Sequence, residues 1–247
     1  FDENNPIEYF MMGTNEWKKA ARWPPKKSHG VDFFLHSQGN ANSHKGDGIL
    51  SDKRDENVTQ DRYIYDPLDP CPSFGNSMIY GNRTEGPMEQ SIVSIRPDVL
   101  VYKTDTLKQD FNQVGPVSLV LYVSSSALDT DFCAKLIDIH PNNKSYFLIS
   151  GFLRMRFLDS VRATHSIEKG KIYRLEIFLG HTAHTFLKGH QMGLLVTSSD
   201  FPNHGRNLNT GGSNEGDSDE AKAMQTIFHG GIYPSKLSLH LHLDERL

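Results

Sequence analysis

Serine is the first residue type to consider, because a nucleophilic serine must be presented on a sharp turn beside its histidine. In α/β-hydrolases this turn is a strand–turn–helix elbow with the pattern Gly-x-Ser-x-Gly, which this sequence does not contain. The runs Ser124-Ser125-Ser126 and Ser198-Ser199 both end apolar alternating segments, and no helical pattern follows either of them. Serines in such positions more often hydrogen-bond nearby backbone. The sequence therefore predicts no self-contained Ser-His-Asp triad.

Histidine is the second candidate, because it is a common metal ligand. His240 and His242 lie two residues apart on one face of an alternating segment, and His181, His184 and His190 form a looser group. Either group needs a third ligand and supporting outer contacts before it can hold an ion. Twelve histidines in 247 residues place pairs together by chance. We therefore expect no metal and no cofactor.

Two carboxylates, Asp129 and Asp131, stand at the start of an apolar segment. Alternating carboxylates of this kind can bind calcium, which takes oxygen ligands. They can equally cap loop backbone or pair with Arg154, Arg156 or Lys135. The hydrogen-bonded strand entry is the favoured interpretation, with calcium as the alternative.

Residues 66–75, which we call the proline arm, read Asp-Pro-Leu-Asp-Pro-Cys-Pro-Ser-Phe-Gly. The three prolines stiffen an extended run, and Gly75 permits a turn. An apolar trio, Met78, Ile79 and Tyr80, follows directly. Such an arm is suited either to packing on a neighbour and closing a pocket or to folding back on its own core.

Composition limits what these residues can belong to. The chain is 37% hydrophobic and 23% charged, enough for a buried core, and carries a formal net charge of −4. The acidic balance, with a pI near 6.3, argues against a nucleic-acid surface. The sequence has neither a membrane-length apolar run nor a signal peptide pattern. Two cysteines, Cys71 and Cys133, are too few for a disulfide framework and indicate a reducing, cytoplasmic location.

Period-2 alternation dominates the chain and predicts strands. Residues 236–243 place leucine on one face and polar groups on the other, which is typical of a half-buried strand. Many short strands with turn signals between them predict an all-β antiparallel sandwich, specifically a jelly roll. The candidate strands are residues 7–12, 17–23, 31–37, 91–104, 117–123, 132–139, 145–157, 171–179, 191–199, 223–229 and 236–243.

Little helix is expected, and its best candidate is the two-turn segment 181–187. Two polar stretches, residues 38–62 and 203–222, are expected to be long loops. No repeat or shift in composition marks a second domain. We therefore expect one domain that spans residues 1–247.

Several motifs, taken together in this order, resemble the C-terminal non-catalytic domain of the cocaine esterase/X-prolyl dipeptidyl peptidase (CocE/NonD) family of serine hydrolases. The motifs are Tyr9-Phe10-Met11-Met12-Gly13, Asn15-Glu16-Trp17, Trp23-Pro24-Pro25, Tyr65-Asp66-Pro67, Asp69-Pro70, Pro72, Arg96-Pro97-Asp98-Val99-Leu100-Val101-Tyr102, Ser124-Ser125-Ser126-Ala127, Asp129-Thr130-Asp131-Phe132, Ala134-Lys135-Leu136, Gly189-His190, Ser198-Ser199-Asp200-Phe201-Pro202 and Asn207-Leu208-Asn209-Thr210-Gly211.

The resemblance implies a galactose-binding-domain-like jelly roll and an α/β-hydrolase catalytic domain as partner. In the family that domain, with its helical cap, precedes this one and carries the Ser, Asp and His that cleave esters or amides through an acyl-enzyme. The start at Phe1 agrees with the expectation that this chain is the back portion of such an enzyme. The family-motif residues expected to have structural roles are Asp66, Asp69, Asp129, Asp131, Lys135, His190 and Asn209.

The resemblance also implies a role in substrate binding for two residues. In esterase members an apolar pair after the Asp-Pro-x-Asp-Pro run lines the acyl pocket, and by position this pair is Ile79 and Tyr80. The family often has two glycines where this chain has Gly75-Asn76, so the loop geometry here differs from that pattern.

Two other functions stay open from the sequence. Jelly rolls also bind carbohydrates, and Trp17 or Trp23 could stack on sugars, although we expect both to pack the N-terminal segment. Family members often self-associate, so a homo-oligomer is the other alternative. Neither nucleic acid nor a membrane is expected as a partner.

Overall fold

Strands form most of the regular structure. A computed structural model of the chain describes residues 3–75, 85–158, 166–212 and 219–243. Its helical elements are α1 (Ser91–Ser94) and a 3-10 turn (Met155–Phe157). Among these described residues no helix has the length and apolar character needed to cross a bilayer. The strands are β1 (Ile7–Met11), β2 (Glu16–Ala20), β3 (Ser28–His36), β4 (Ile49–Ser51), β5 (Thr59–Tyr65), β6 (Leu100–Lys103), β7 (Phe111–Ser125), β8 (Asp131–Ile139), β9 (Ser145–Arg154), β10 (Tyr173–Phe186), β11 (Gln191–Thr197), β12 (Ala223–His229) and β13 (Lys236–His242).

The strands pair in one long hydrogen-bonded path that crosses over repeatedly. Its order is β5-β12-β7-β13-β3-β4-β6-β11-β8-β9, with β10 also paired to β7. The named strand pairs are antiparallel except for one parallel contact between β4 and β6. Strands β1 and β2 form a separate hairpin. The prediction of an all-β jelly-roll sandwich with little helix is confirmed.

Alternating apolar side chains fill the space inside the sandwich. Val117, Leu119, Leu121 and Val123 of β7 are each fully buried, and Leu237 of β13 meets them from the neighbouring strand. Full burial of one such side chain contributes about 1.5–3 kcal/mol. One core cluster includes side chains from every strand from β3 through β13, so these strands enclose a common interior.

The predicted helical segment 181–187 is wrong, because these residues continue β10. The register shifts between Phe178 and Gly180, which marks a bulge. Beyond it both faces of the strand are covered, since Met11 and Val114 pack on Ala183 from the side opposite the main core. Burial of both faces removes the period-2 alternation, so the sequence here loses its strand signature.

Two other expectations need correction. Residues 91–104 are not one strand: α1 and β6 are separated by a turn containing Pro97, which has no backbone N–H to give to a sheet. The stretch 38–62 is not wholly loop, because it contains β4 and the start of β5. Strand β4 has three residues, too few to display a period.

Candidate functional site

The proline arm leaves β5 and is held in place by ion pairs. Arg96 donates through Nη1 to Asp69 Oδ1 at 3.2 Å and through Nη2 to the Asp69 carbonyl at 2.7 Å. The same guanidinium makes a two-bond contact with Asp98, at 2.7 and 2.9 Å. At the beginning of the arm, Lys222 Nζ lies 2.7 Å from Asp66 Oδ2. The hydrogen bond from Lys222 lowers the pKa of Asp66.

Backbone bonds join the middle of the arm to residues 199–201. The Cys71 N–H donates to Ser199 Oγ at 2.7 Å, and the Phe201 N–H donates to the Cys71 carbonyl at 3.0 Å. The Ser73 N–H then donates to the Phe201 carbonyl at 2.8 Å. Further on, Gln90 Nε2 donates to the Phe74 carbonyl at 2.6 Å. The arm is therefore fixed along its length up to Gly75.

The pair Ile79 and Tyr80 lies outside the described residues, so its pocket-lining role stays a prediction. The residues that flank the undescribed segment are close together. A Cβ placed on Gly75 would lie 2.8 Å from the Gly86 carbonyl oxygen and 2.9 Å from Phe147 Cβ. Gly75 and Gly86 both have positive φ, of 77° and 78°. The arm and the returning chain thus pass each other at a point where only glycine fits.

Substituting Gly75 by alanine should therefore reduce stability by about 2–4 kcal/mol, since left-handed strain and a steric clash add together. Gly170→Ala is the matched control, because Gly170 has φ of 76° but open space where the Cβ would stand. The control should cost only about 1–2 kcal/mol. Urea unfolding of both variants measures the difference, and equal losses would contradict the close approach.

Asp129 and Asp131 meet two arginines across the β8–β9 hairpin. Arg154 donates to both oxygens of Asp131 at 2.9 Å, and Arg156 donates to Asp129 through its backbone N–H at 2.8 Å and through Nε at 2.6 Å. Asn207 Nδ2 lies 2.8 Å from an oxygen of each carboxylate. All four carboxylate oxygens thus accept hydrogen bonds, which leaves little to offer a calcium ion.

The same network ties down the following loop. Asn209, with φ of 64°, donates its N–H to Asn207 Oδ1 at 2.9 Å and its Nδ2 to the Ala221 carbonyl at 2.6 Å. Burial raises the pKa of Asp131 to about 6, against the opposing hydrogen bonds from Arg154 and Asn207. The arrangement holds loop backbone in place and has no free nucleophile or open cation site.

Lys135 and Asp200 form an ion pair inside the sandwich. Nζ and Oδ1 are 2.6 Å apart, and the two side chains are 1% and 2% exposed. Among the described residues Nζ has no well-aligned hydrogen-bond acceptor, so charge holds the pair together. The backbone carbonyl of Asp200 accepts the His204 N–H at 2.9 Å, immediately beside the residues that clamp the arm.

His190 belongs to what we call the histidine cluster, which consists of Asp138, His140, His184 and His190. The buried Asp138 carboxylate accepts from His190 Nδ1 at 2.9 Å and from His184 Nε2 at 3.1 Å. His140 Nε2 lies 3.5 Å from Asp138 Oδ2. The rings of His140 and His190 are in contact, with centroids 4.3 Å apart.

A serine, a histidine and an aspartate also meet at Ser37, His229 and Asp61, but not as a catalytic triad. In a triad the histidine contacts serine through one ring nitrogen and aspartate through the other. Here Nε2 of His229 faces both Asp61 Oδ2 at 2.9 Å and Ser37 Oγ at 3.2 Å, while Nδ1 faces Thr59 Oγ1 at 2.7 Å. Ser37 lies 2.8 Å from each Asp61 oxygen. The serine is buried, so this network is structural.

The two tryptophans differ. Trp23 packs edge-on to Tyr9 and donates Nε1 to His181 Nδ1 at 2.8 Å, as expected for a residue that anchors the N-terminal segment. Trp17 packs edge-on to Phe10 within the β1–β2 hairpin but stays 69% exposed, so it packs on the N-terminal segment without being buried. The other metal candidates, His240 and His242, bind the Pro116 carbonyl and Ser28, and not a shared point.

The described residues thus form a β-sandwich whose buried charged and polar networks hold loops in place. Residues 1–238 match the family model described as the X-Pro dipeptidyl-peptidase C-terminal non-catalytic domain, and the chain belongs to that family. The resemblance inferred from the motifs is thereby confirmed.

Individual relatives agree with this assignment. The chain is 38% identical over 235 residues to the cocaine esterase of Rhodococcus sp. (strain MB1 Bresler), covering 94% of this chain and 41% of that protein. An aminopeptidase from a marine sediment archaeon, Thaumarchaeota archaeon, has a TM-score of 0.86 at 24% identity over 97% of this chain and 41% of its own. An α-amino acid ester hydrolase has a TM-score of 0.83 at 24% identity, over 96% and 41% respectively. The chain thus spans about two fifths of each relative.

Several residues of these networks were not found from sequence. Asp61 and His229 meet across 168 positions and carry no local signal. Asp138 and His140 did carry one, since they stand two residues apart at the end of an alternating segment and therefore share a face. Asp200 carries no signal beyond its place in a motif, because its burial beside Lys135 depends on strands that are distant in sequence.

Proposed function

We propose that this chain is the accessory domain of a serine hydrolase that cleaves esters or peptide-like amides, and that residues 1–247 form a single such domain. The observation that carries the proposal is the family match over residues 1–238 in a chain that spans only 41% of the cocaine esterase it resembles. The geometry supports it, since the described residues bring serine, histidine and aspartate together only in the buried network around Asp61.

The proposed partner is an α/β-hydrolase catalytic domain of the same protein. The proline arm supports this, because it is rigidly anchored by Arg96 and by residues 199–201 although it is surface-located. Next to its return point, Ile92 of α1 and Ile95, the residue that caps the end of α1, lie three residues apart and are 53% and 58% exposed. Exposed apolar groups beside a rigid arm suit a packed interface.

We further propose that Ile79 and Tyr80 line the substrate pocket of that catalytic domain. The support is positional: the pair directly follows the arm, which is fixed up to Gly75, and occupies the place that the family resemblance gives to residues lining the acyl pocket. A reducing, cytoplasmic location agrees with Cys71 and Cys133, both free and buried. Burial raises the pKa of Cys71 to about 12, which keeps its thiol protonated and unreactive.

The experiment compares the isolated chain with the complete protein. The chain alone should not hydrolyse p-nitrophenyl esters or X-Pro anilides, whereas the complete protein should hydrolyse one of these classes and be blocked by serine-directed inhibitors. In the complete protein, Ile79→Ala and Tyr80→Ala should change KM by about tenfold, the value of a few buried methylene groups. An exposed alanine substitution at Ile232 is the matched control. Purified turnover by the isolated chain that resists such inhibitors would refute the proposal.

A further inference from the structure

The histidine cluster has no part in the proposed function, yet the register of the strands brings its members together. Strands β8 and β11 pair with Ile139 opposite Gln191, so the adjoining residues His140 and His190 face each other directly. Asp138 stands two residues before His140 and thus on the same face of β8. Three potential ligands therefore come from two neighbouring strands with a fixed register.

The separations match those of ligands that share one ion. One ligand atom from each of Asp138, His140 and His190 lies within 4.8 Å of the other two. For metal–ligand bonds of about 2.1 Å, two ligands at right-angled to tetrahedral positions are about 3.0–3.4 Å apart. His190 Nδ1 lies 2.9 Å from Asp138 Oδ1, and His140 Nε2 lies 3.5 Å from Asp138 Oδ2, so each ring faces one oxygen of the carboxylate at about this separation.

An outer contact already orients the carboxylate. His184 is 5% exposed, and its Nε2 holds Asp138 Oδ2 at 3.1 Å from β10. Partners of this kind, which fix the direction of a ligand, are a regular part of metal sites. His184 Nδ1 is buried and has no hydrogen-bond partner among the described residues. A structural Asp-His pair would need one histidine, whereas three imidazoles surround this carboxylate.

Access to the cluster is provided by a cavity. A space of about 590 Å³ opens beside it, and Asp138, His140, His184 and His190 all contribute to its lining. The remaining wall is mostly apolar. It includes Phe10, Met12, Pro87, Leu148 and Leu187. An apolar wall with convergent polar groups at one point is typical of a binding site.

We propose that Asp138, His140 and His190 bind one divalent transition-metal ion of the Zn²⁺ type. The donor set of two imidazoles and one carboxylate suits zinc, and three protein ligands leave a coordination position for water or a small ligand. When the ion binds, it takes the place of the proton that lies between His190 Nδ1 and Asp138. The imidazole stays neutral, because its proton moves from Nδ1 to Nε2. The sequence analysis predicted no metal, because sequence proximity places His190 in a group with His181 and His184 and does not connect it with Asp138 and His140.

The test is metal binding by the tag-free 247-residue chain, which does not depend on hydrolase activity. Titration calorimetry with ZnCl₂ should give one equivalent bound, and Co²⁺ should give the visible absorption bands of a four-coordinate nitrogen–oxygen site. His140→Ala removes a ligand, so it should weaken Zn²⁺ binding at least as much as the roughly 100-fold that loss of an outer-shell partner can cost, and it should abolish those bands. His140 is partly exposed, so this variant should keep the fold, as checked by circular dichroism.

His204→Ala is the matched control, because His204 is a partly buried histidine that stacks on Phe152 away from the cluster. It should bind Zn²⁺ and Co²⁺ as the unmodified chain does. Asp138→Asn, which keeps the shape of the ligand but weakens it, should fall between the two. Failure of the unmodified chain to bind Zn²⁺, or equal binding by the His140→Ala and His204→Ala chains, would overturn the proposal.

Discussion

Replacing Asp61 by alanine is expected to lower the free energy of unfolding by about 3–5 kcal/mol, a large part of the 5–15 kcal/mol of an ordinary domain. Its fully buried carboxylate accepts from Tyr102 Oη at 2.7 Å, the Ala41 N–H at 2.9 Å and His229 Nε2 at 2.9 Å, and contacts Ser37 Oγ. Alanine would leave all these polar groups buried without their acceptor, and each such loss costs about 1–3 kcal/mol before relaxation.

The measurement is urea unfolding followed by circular dichroism. Asp61→Asn should be milder than Asp61→Ala, because the amide oxygen retains part of the accepting capacity. Asp105→Ala provides the control, since Asp105 is exposed and its removal should change stability by less than about 0.5 kcal/mol. A loss of under 1 kcal/mol in Asp61→Ala would show that the buried network adds little to stability.

The pH dependence of the Asp61 contribution follows from its pKa. Burial alone would raise the pKa of this carboxyl, but the hydrogen bonds from His229, Ala41, Tyr102 and Ser37 together lower it. A lowered folded-state pKa means that the stabilisation is complete above the unfolded value of about 3.9 and is lost as pH falls through the folded value. The difference between the unmodified chain and Asp61→Asn should therefore shrink in acid, below about pH 4.

Alternation in sequence predicted the half-buried strands well, and its failures have physical causes. Strand β7 displays Val117, Leu119 and Leu121 at every second position because one of its faces meets the core. The second half of β10 does not, because β1 covers its other face near Ala183. A pattern that reports one-sided burial cannot report a strand that is buried on both sides.

Charged partners were also predictable where they lie on strands close in sequence, and not where they lie on strands that are distant. Arg154 and Arg156 were among the partners suggested for Asp129 and Asp131, and the register of two strands that follow each other in the chain pairs Asp131 directly with Arg154. The networks around Asp61 and the histidine cluster join strands that are distant in sequence. Their partners are chosen by the crossovers of the sheet, and a single sequence does not specify crossovers.

The buried ion pair of Lys135 and Asp200 is expected to give the second large change in stability, and the effects of removing its two charges should depend on each other. Lys135→Met should cost about 3–5 kcal/mol, because it leaves the Asp200 carboxylate charged and unpaired in a site that is 2% exposed. Asp200→Asn should cost a similar amount by leaving the ammonium unpaired. The double variant removes both charges, so the penalty of an isolated buried charge no longer applies.

The expected result is therefore strong non-additivity. The double variant should be more stable than the sum of the two single losses predicts, by at least about 1–3 kcal/mol, as for residues in direct contact. Because Asp200 adjoins Phe201, whose N–H binds the Cys71 carbonyl, the single variants should also loosen the proline arm and speed amide exchange at Phe201. Losses that add within about 0.5 kcal/mol would mean that the two side chains stabilise the fold independently, through packing and not through their charges.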